Sequence, residues 1–147
     1  MRVVIQRVRE ASVRVDGDVV GQIDGGLLVL LGIAPEDGPK ESLWMAKKLA
    51  GMRIFADDEG RMNRSVVETG QGALVVSQFT LYGNCRKGRR PSFVHAAHPD
   101  HAEPAYEQFC LDLAAAGVTP VSRGVFGANM DVQLINDGPV TLILDSP

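Results

Sequence analysis

The sequence predicts a single α+β domain, residues 1–147, built of curled, barrel-like antiparallel β-sheets with two main helices packed outside them. Three observations lead there. The chain has 147 residues, 45% of them hydrophobic and 22% charged, which suits one globular domain and excludes a disordered chain. About nine short runs carry strand patterning bounded by Gly, Asp and Asn turn signals. Only two segments repeat their apolar residues at helical spacing.

In chain order, residues 1–8 read as a first strand and Ala11-Ser12-Val13-Arg14-Val15 alternates as a half-buried second. Asp16-Gly17 follows, a two-residue hairpin signal, because both central positions of a type I′ turn need positive φ. Residues 18–23 form the returning strand. After Asp24-Gly25-Gly26, the run Leu27-Leu28-Val29-Leu30-Leu31 is apolar without a break, so it is expected to be central and buried on both faces.

Pro39 suits the first turn of a helix, and Leu43, Ala46, Leu49 and Ala50 recur on one face up to Gly51. Residues 53–56 are a short strand and 57–64 a polar loop. Asp57-Asp58-Glu59-Gly60 lacks the spacing of a calcium loop and is read as a turn. After Gly70-Gln71-Gly72 comes the stretch around which the chain is organised. Leu74-Val75-Val76 is a core strand, and Ser77, Gln78 and Thr80 then carry hydroxyl and amide groups out of it. Such groups must be bonded or face a cleft, since a buried orphan costs about 1 to 3 kcal/mol.

The second helix is expected to begin near Asp100 or Glu103, spaced as a capping box, with Pro104 in its first turn and Tyr106, Phe109, Cys110 and Leu113 on its apolar face. Gly117 closes it, and Cys110 is read as a core residue. Residues 121–126 and 130–135 are strands, and Asn136-Asp137-Gly138-Pro139 turns the chain into the last one, 140–144.

No apolar run approaches the ~20 residues of a membrane span, and residues 1–7 lack a signal-peptide core. A cytoplasmic protein with no membrane partner is expected. Cys85 and Cys110 fit no disulfide or metal spacing. His95, His98 and His101 would spiral around a helix rather than share a face, and Pro99 interrupts them. No metal and no cofactor is expected. A net charge of −3 speaks against indiscriminate polyanion binding, with one local exception: Arg86-Lys87-Gly88-Arg89-Arg90. The chain holds no Walker loop, nucleophile elbow, H-E-x-x-H or G-x-G-x-x-G.

Two motifs, Ser77-Gln78-Phe79-Thr80-Leu81 and Asn136-Asp137-Gly138-Pro139-Val140-Thr141, make the sequence resemble the D-aminoacyl-tRNA deacylases. The opening Met1-Arg2-Val3-Val4-Ile5-Gln6-Arg7-Val8, Lys87-Gly88-Arg89-Arg90-Pro91-Ser92-Phe93 and Gly124-Val125-Phe126-Gly127-Ala128 extend the resemblance over the whole chain. It implies hydrolysis of the ester joining a D-amino acid to tRNA, without a metal, by a homodimer, and it leaves action on glycyl-tRNA open. The catalytic residues expected are Ser77, Gln78, Phe79 and Thr80, with backbone N–H groups of Gln78 and Phe79 facing the ester oxyanion. Gly138, Pro139, Arg7, Phe126 and Met130 are expected to bind substrate, and Arg86, Lys87, Arg89 and Arg90 the tRNA. The resemblance further implies a cis Gly138-Pro139 bond in a loop that enters the partner's pocket and bars L-side chains. Arg7 is expected to fix the Gly138 carbonyl. Thr80 has no base assignable beside it, so water assisted by the ribose 2′-hydroxyl is expected to attack, with Thr80 orienting groups. The alternatives are a non-catalytic RNA-binding module and a small-ester hydrolase with a Ser77 or Thr80 nucleophile.

Overall fold

The computed structural model describes residues 1–147. Its elements are β1 (Arg2–Val15), β2 (Asp18–Ile23), β3 (Gly26–Gly32), α1 (Pro39–Gly51), β4 (Phe55–Ala56), β5 (Met62–Arg64), β6 (Gly72–Ser77), a 3₁₀ turn (Phe79–Tyr82), α2 (Pro99–Ala115), β7 (Val121–Arg123) and β8 (Asp131–Asp145). The expected class, one α+β domain with two helices outside a curled sheet, is what forms.

β1 is the spine. Its first half pairs antiparallel with β3, its second half with β2, and β8 runs antiparallel along nearly its whole length. The hairpin between β1 and β2 closes at Asp16 and Gly17, both at positive φ, with Val15 opposite Asp18. The two strands expected within residues 1–15 are thus one continuous strand. Its partner changes from β3 to β2 halfway, a feature of packing that no local break in the sequence records.

The sheet is mixed rather than wholly antiparallel. β3 and β6 run parallel, as do β6 and β7. The physical reason is the connections: α1 lies between β3 and β6, and α2 between β6 and β7, and a strand reached through a helical crossover returns in the same direction. The helices lie against each other on one face, joined by a hydrogen bond from Ser42 Oγ to Asp112 Oδ2 of 2.6 Å. Opposite, the sheet curls until β2 nears β7, where Ser122 Oγ donates to the Gln22 carbonyl at 2.8 Å. Gly21 makes that approach possible, since a Cβ there would lie 2.3 Å from the Arg123 carbonyl oxygen.

Curling makes two cores. Ile5, Leu27, Val29, Leu31 and Val75 pack under the helices with Met45, Leu49, Phe109 and Leu113. Val8, Val13, Ile23, Leu28, Leu74 and Val76 fill the barrel. Alternate residues of β3 and β6 therefore enter opposite cores, which is why both strands read as unbroken apolar runs.

Three further elements differ from expectation. Residues 62–64, expected in a loop, form β5 and pair with β4. The second helix starts at Pro99, with His98 as N-cap accepting from the Asp100 N–H, so Pro104 lies inside the helix and Asp100 is not the cap. Residues 131–145 form one strand, β8. Its pairing runs from Thr141 opposite Gln6 to Asn136 opposite Val8, so residues 137–140 bulge out against Arg7 alone. No helix is long and apolar enough to cross a membrane.

Candidate active site

A cavity of about 620 Å³ opens where β6 ends. Ser77, Gln78 and Phe79 form one wall, and Phe126 and Met130 another. The structure thus gathers five of the residues expected to act on substrate. β6 places the first wall: its apolar run is locked between β3 and β7, so the polar residues emerge at its C-terminal end. Tyr106 of α2 backs the second wall, its hydroxyl donating to the Val75 carbonyl at 2.9 Å and its ring 6.0 Å from that of Phe126.

Phe93, Ala96, Ala97, His98 and Ala102 also line the cavity. The first four come from the segment leading into α2 and Ala102 from its first turn, and none of them is among the site residues expected from the sequence. The signal available was the Pro91-Ser92-Phe93 motif, whose aromatic ring meets Phe79 edge-on at 5.1 Å.

The chemistry at the strand end differs from expectation at Gln78. Its backbone N–H donates to the Leu31 carbonyl at 2.7 Å, continuing the parallel ladder, and is therefore not open to an oxyanion. The next two residues, Phe79 and Thr80, begin the 3₁₀ turn, so their N–H groups have no acceptor within it. The Gln78 side chain is engaged within the same turn, where its Nε2 donates to Thr80 Oγ1 at 2.5 Å. Thr80 does not line the cavity, and the group bonded to its hydroxyl is an amide donor that cannot take its proton.

Gly138 and Pro139 also lie outside this cavity. They are exposed on the bulge of β8, and their peptide bond is cis, as is Thr119-Pro120. Arg7 holds the bulge through the residue before the glycine. Its Nε donates to the Asp137 carbonyl at 3.2 Å and lies 3.1 Å from the Asp137 carboxylate, while another guanidinium nitrogen donates to the Ile54 carbonyl. The Gly138 carbonyl expected as its partner is not among these. Asn136 braces the other side, accepting from the Val140 N–H at 3.0 Å and donating to Thr141 Oγ1 at 2.8 Å.

Arg86, Lys87, Arg89 and Arg90 sit on an exposed loop pinched at its base by paired Asn84 and Ser92. None of the four cations is paired with a carboxylate. The histidines are engaged separately: His101 bonds the Asp37 carbonyl at 2.8 Å, and His98 faces Asp100. No three His, Cys, Asp or Glu side chains converge as a metal site would need. Burial pushes the Cys110 thiol up to about 12, which leaves it protonated and inert at neutral pH.

A family profile described as D-Tyr-tRNA(Tyr) deacylase matches residues 4–145. A D-aminoacyl-tRNA deacylase of Brevibacillus brevis is 60% identical over 146 residues, covering 99% of this chain and 100% of the relative. One from Thermus aquaticus is 59% identical over 146 residues, covering 99% and 95%. Among solved structures, one described as the c-Myc DNA unwinding element binding protein superposes with a TM-score of 0.93 at 41% identity, covering 100% of this chain and 99% of that one. A probable eukaryotic D-amino acid tRNA deacylase superposes with a TM-score of 0.84 at 20% identity, covering 97% of both chains, and shares the fold.

Proposed function

Since the chain belongs to the D-Tyr-tRNA(Tyr) deacylase family, it is a hydrolase of D-aminoacyl-tRNA, and we propose that the cavity at the end of β6 is where it cleaves the ester. The observation carrying this is the meeting of Ser77, Gln78 and Phe79 with Phe126 and Met130 around one space of a size suited to an aminoacylated nucleoside.

Water attacks the ester carbonyl with help from the neighbouring ribose 2′-hydroxyl. The acyl C–O bond breaks, the ribose oxygen leaves with a proton, and the water oxygen stays in the carboxylate. The free N–H of Phe79, which lines the cavity, faces the oxyanion, a contribution of about 3 to 4 kcal/mol per donor in other hydrolases. Thr80 orients groups through its hydroxyl and attacks nothing, because Gln78 gives it a donor and no base. Phosphates of the tRNA meet the unpaired cations Arg86, Lys87, Arg89 and Arg90.

Chirality is read by a second copy of this chain. Gly138 and Pro139 are exposed, braced by Arg7 and Asn136, and absent from their own subunit's cavity, which supports their entering a partner's. β8 pairs only with β1, so its outer edge is open, and Ile135, Leu142 and Ile143 are exposed along it. A long open edge with apolar residues favours a partner strand. Braced backbone carbonyls bar one hand sterically and leave the accepted side chain unread. Cleavage of matched D- and L-aminoacyl-tRNA tests the whole reading: D-esters should be cleaved across several side chains and L-esters spared. Equal rates on both hands would remove the gate.

A further inference from the structure

A second cleft, of about 590 Å³, lies beyond the 3₁₀ turn from the active-site cavity. Two segments run through both. The first contributes Phe79 to the cavity and Tyr82, Asn84 and Arg86 to the cleft. The second contributes Phe93 to the cavity, His95 to the cleft and Ala96 to the cavity again. A chain lying across the edge formed by Phe79 and Phe93 would pass directly from one space to the other.

The linings differ in chemistry. The cavity is mostly apolar, whereas the cleft offers Arg2, Arg86, His95, Asn84 and the Tyr82 ring, with Glu36 as its one carboxylate. Arg2 is a fixed cation, bonded to Asp145 at 2.7 Å and to the Leu81 carbonyl at 3.2 Å, with its guanidinium 5.4 Å from the Tyr82 ring centre. Burial pushes the Tyr82 hydroxyl up to about 12, so it remains a neutral donor. The Arg86 and His95 side chains are exposed and bonded to nothing else in the chain. Cations beside an aromatic face are what a single-stranded polynucleotide needs.

We propose that this cleft holds the single-stranded nucleotides preceding the esterified terminal one, with a phosphate against Arg86 and His95. The proposal rests on the reading that the first cavity takes the terminal aminoacyl nucleoside. It gives a place to a histidine that the catalytic reading leaves unused, and it gives the enzyme a way to tell an aminoacyl-tRNA from a free amino-acid ester.

The test compares D-aminoacyl-tRNA with D-aminoacyl-adenosine, which reaches only the first cavity. In His95→Glu, which puts a carboxylate at an exposed position of the cleft, the ratio of kcat/KM on tRNA to that on the adenosine ester should fall about tenfold, the scale of one lost nucleotide contact. An unchanged ratio overturns the proposal. Cys85 lines the cleft and is exposed, whereas Cys110 is buried, so alkylation of Cys85 supplies a readout independent of turnover. Saturating uncharged tRNA should slow it about tenfold, and tRNA trimmed of its single-stranded 3′ nucleotides should not. Equal protection by both RNAs would place the stem, not the tail, over this cleft and overturn the proposal. Were the wild type inactive on both esters, the catalytic reading would fall, and the alkylation result would still decide the cleft.

Discussion

Arg7 is the only residue of β1 opposite the four-residue bulge at positions 137–140, and it grips Asp137 by both carbonyl and carboxylate, at 3.2 and 3.1 Å. A bulge needs such a brace because its extra residues lose their ladder bonds. Arg7→Ala should therefore reduce deacylation of D-aminoacyl-tRNA and cost about 2 kcal/mol of stability, the scale of hydrogen bonds to a charged group. Arg7→Lys should restore less than half of the lost stability in denaturant unfolding, since an ammonium lacks the planar fork. Full rescue by lysine would show that only charge matters there.

Gly138 has φ +123°, and a Cβ on it would stand 2.8 Å from an Arg7 guanidinium nitrogen. Gly138→Ala should abolish most activity by displacing the brace. Gly60→Ala, at φ +79° in open space, should keep activity despite similar backbone strain. Mixing inactive Gly138→Ala with a cavity-filling Ala96→Trp variant should recover about a quarter of the wild-type sites, because one site of each mixed dimer is intact. No recovery would place the loop in its own subunit's site.

The Thr80 hydroxyl accepts from an amide and adjoins no base. Thr80→Val should retain activity within about tenfold of wild type. An acyl group trapped on Thr80, seen by mass spectrometry during turnover, would make it the nucleophile after all.

Arg89 and Arg90 are exposed and unpaired. Replacing both with glutamine should lessen the slope of log affinity for tRNA against log salt by about 1.4 to 1.8, two phosphate contacts' worth of released counterions. A slope that stays the same would put the tRNA backbone elsewhere.

Burial raises the Cys110 thiol from its ordinary value near 9 to about 12. The folded state then holds a proton that the unfolded state releases, so stability falls as pH rises from about 9 toward 12. In Cys110→Ala that loss should be smaller, and the stability gap between wild type and variant should narrow as pH rises from about 9 toward 12 in denaturant titrations. A constant gap would mean that the thiol ionises as freely folded as unfolded.

What neighbouring residues decide, the sequence determined. The Asp16-Gly17 turn follows from two positive φ angles, α1 from apolar spacing and Pro39, and β3 from an unbroken apolar run, and the polar end of β6 marked the site. What distant partners decide, only the tertiary structure could. The parallel direction of β6 beside β3 depends on α1 crossing back over the sheet between them. Gln78 loses its N–H to Leu31, 47 positions earlier in the chain, because β3 and β6 share a register that no local pattern states. Likewise Phe93 and Ala96 join Phe126 around one cavity only once the crossover through α2 has folded the chain back on β6. Short-range conformational preferences are carried by the residues themselves, whereas the choice among long-range partners is made by packing.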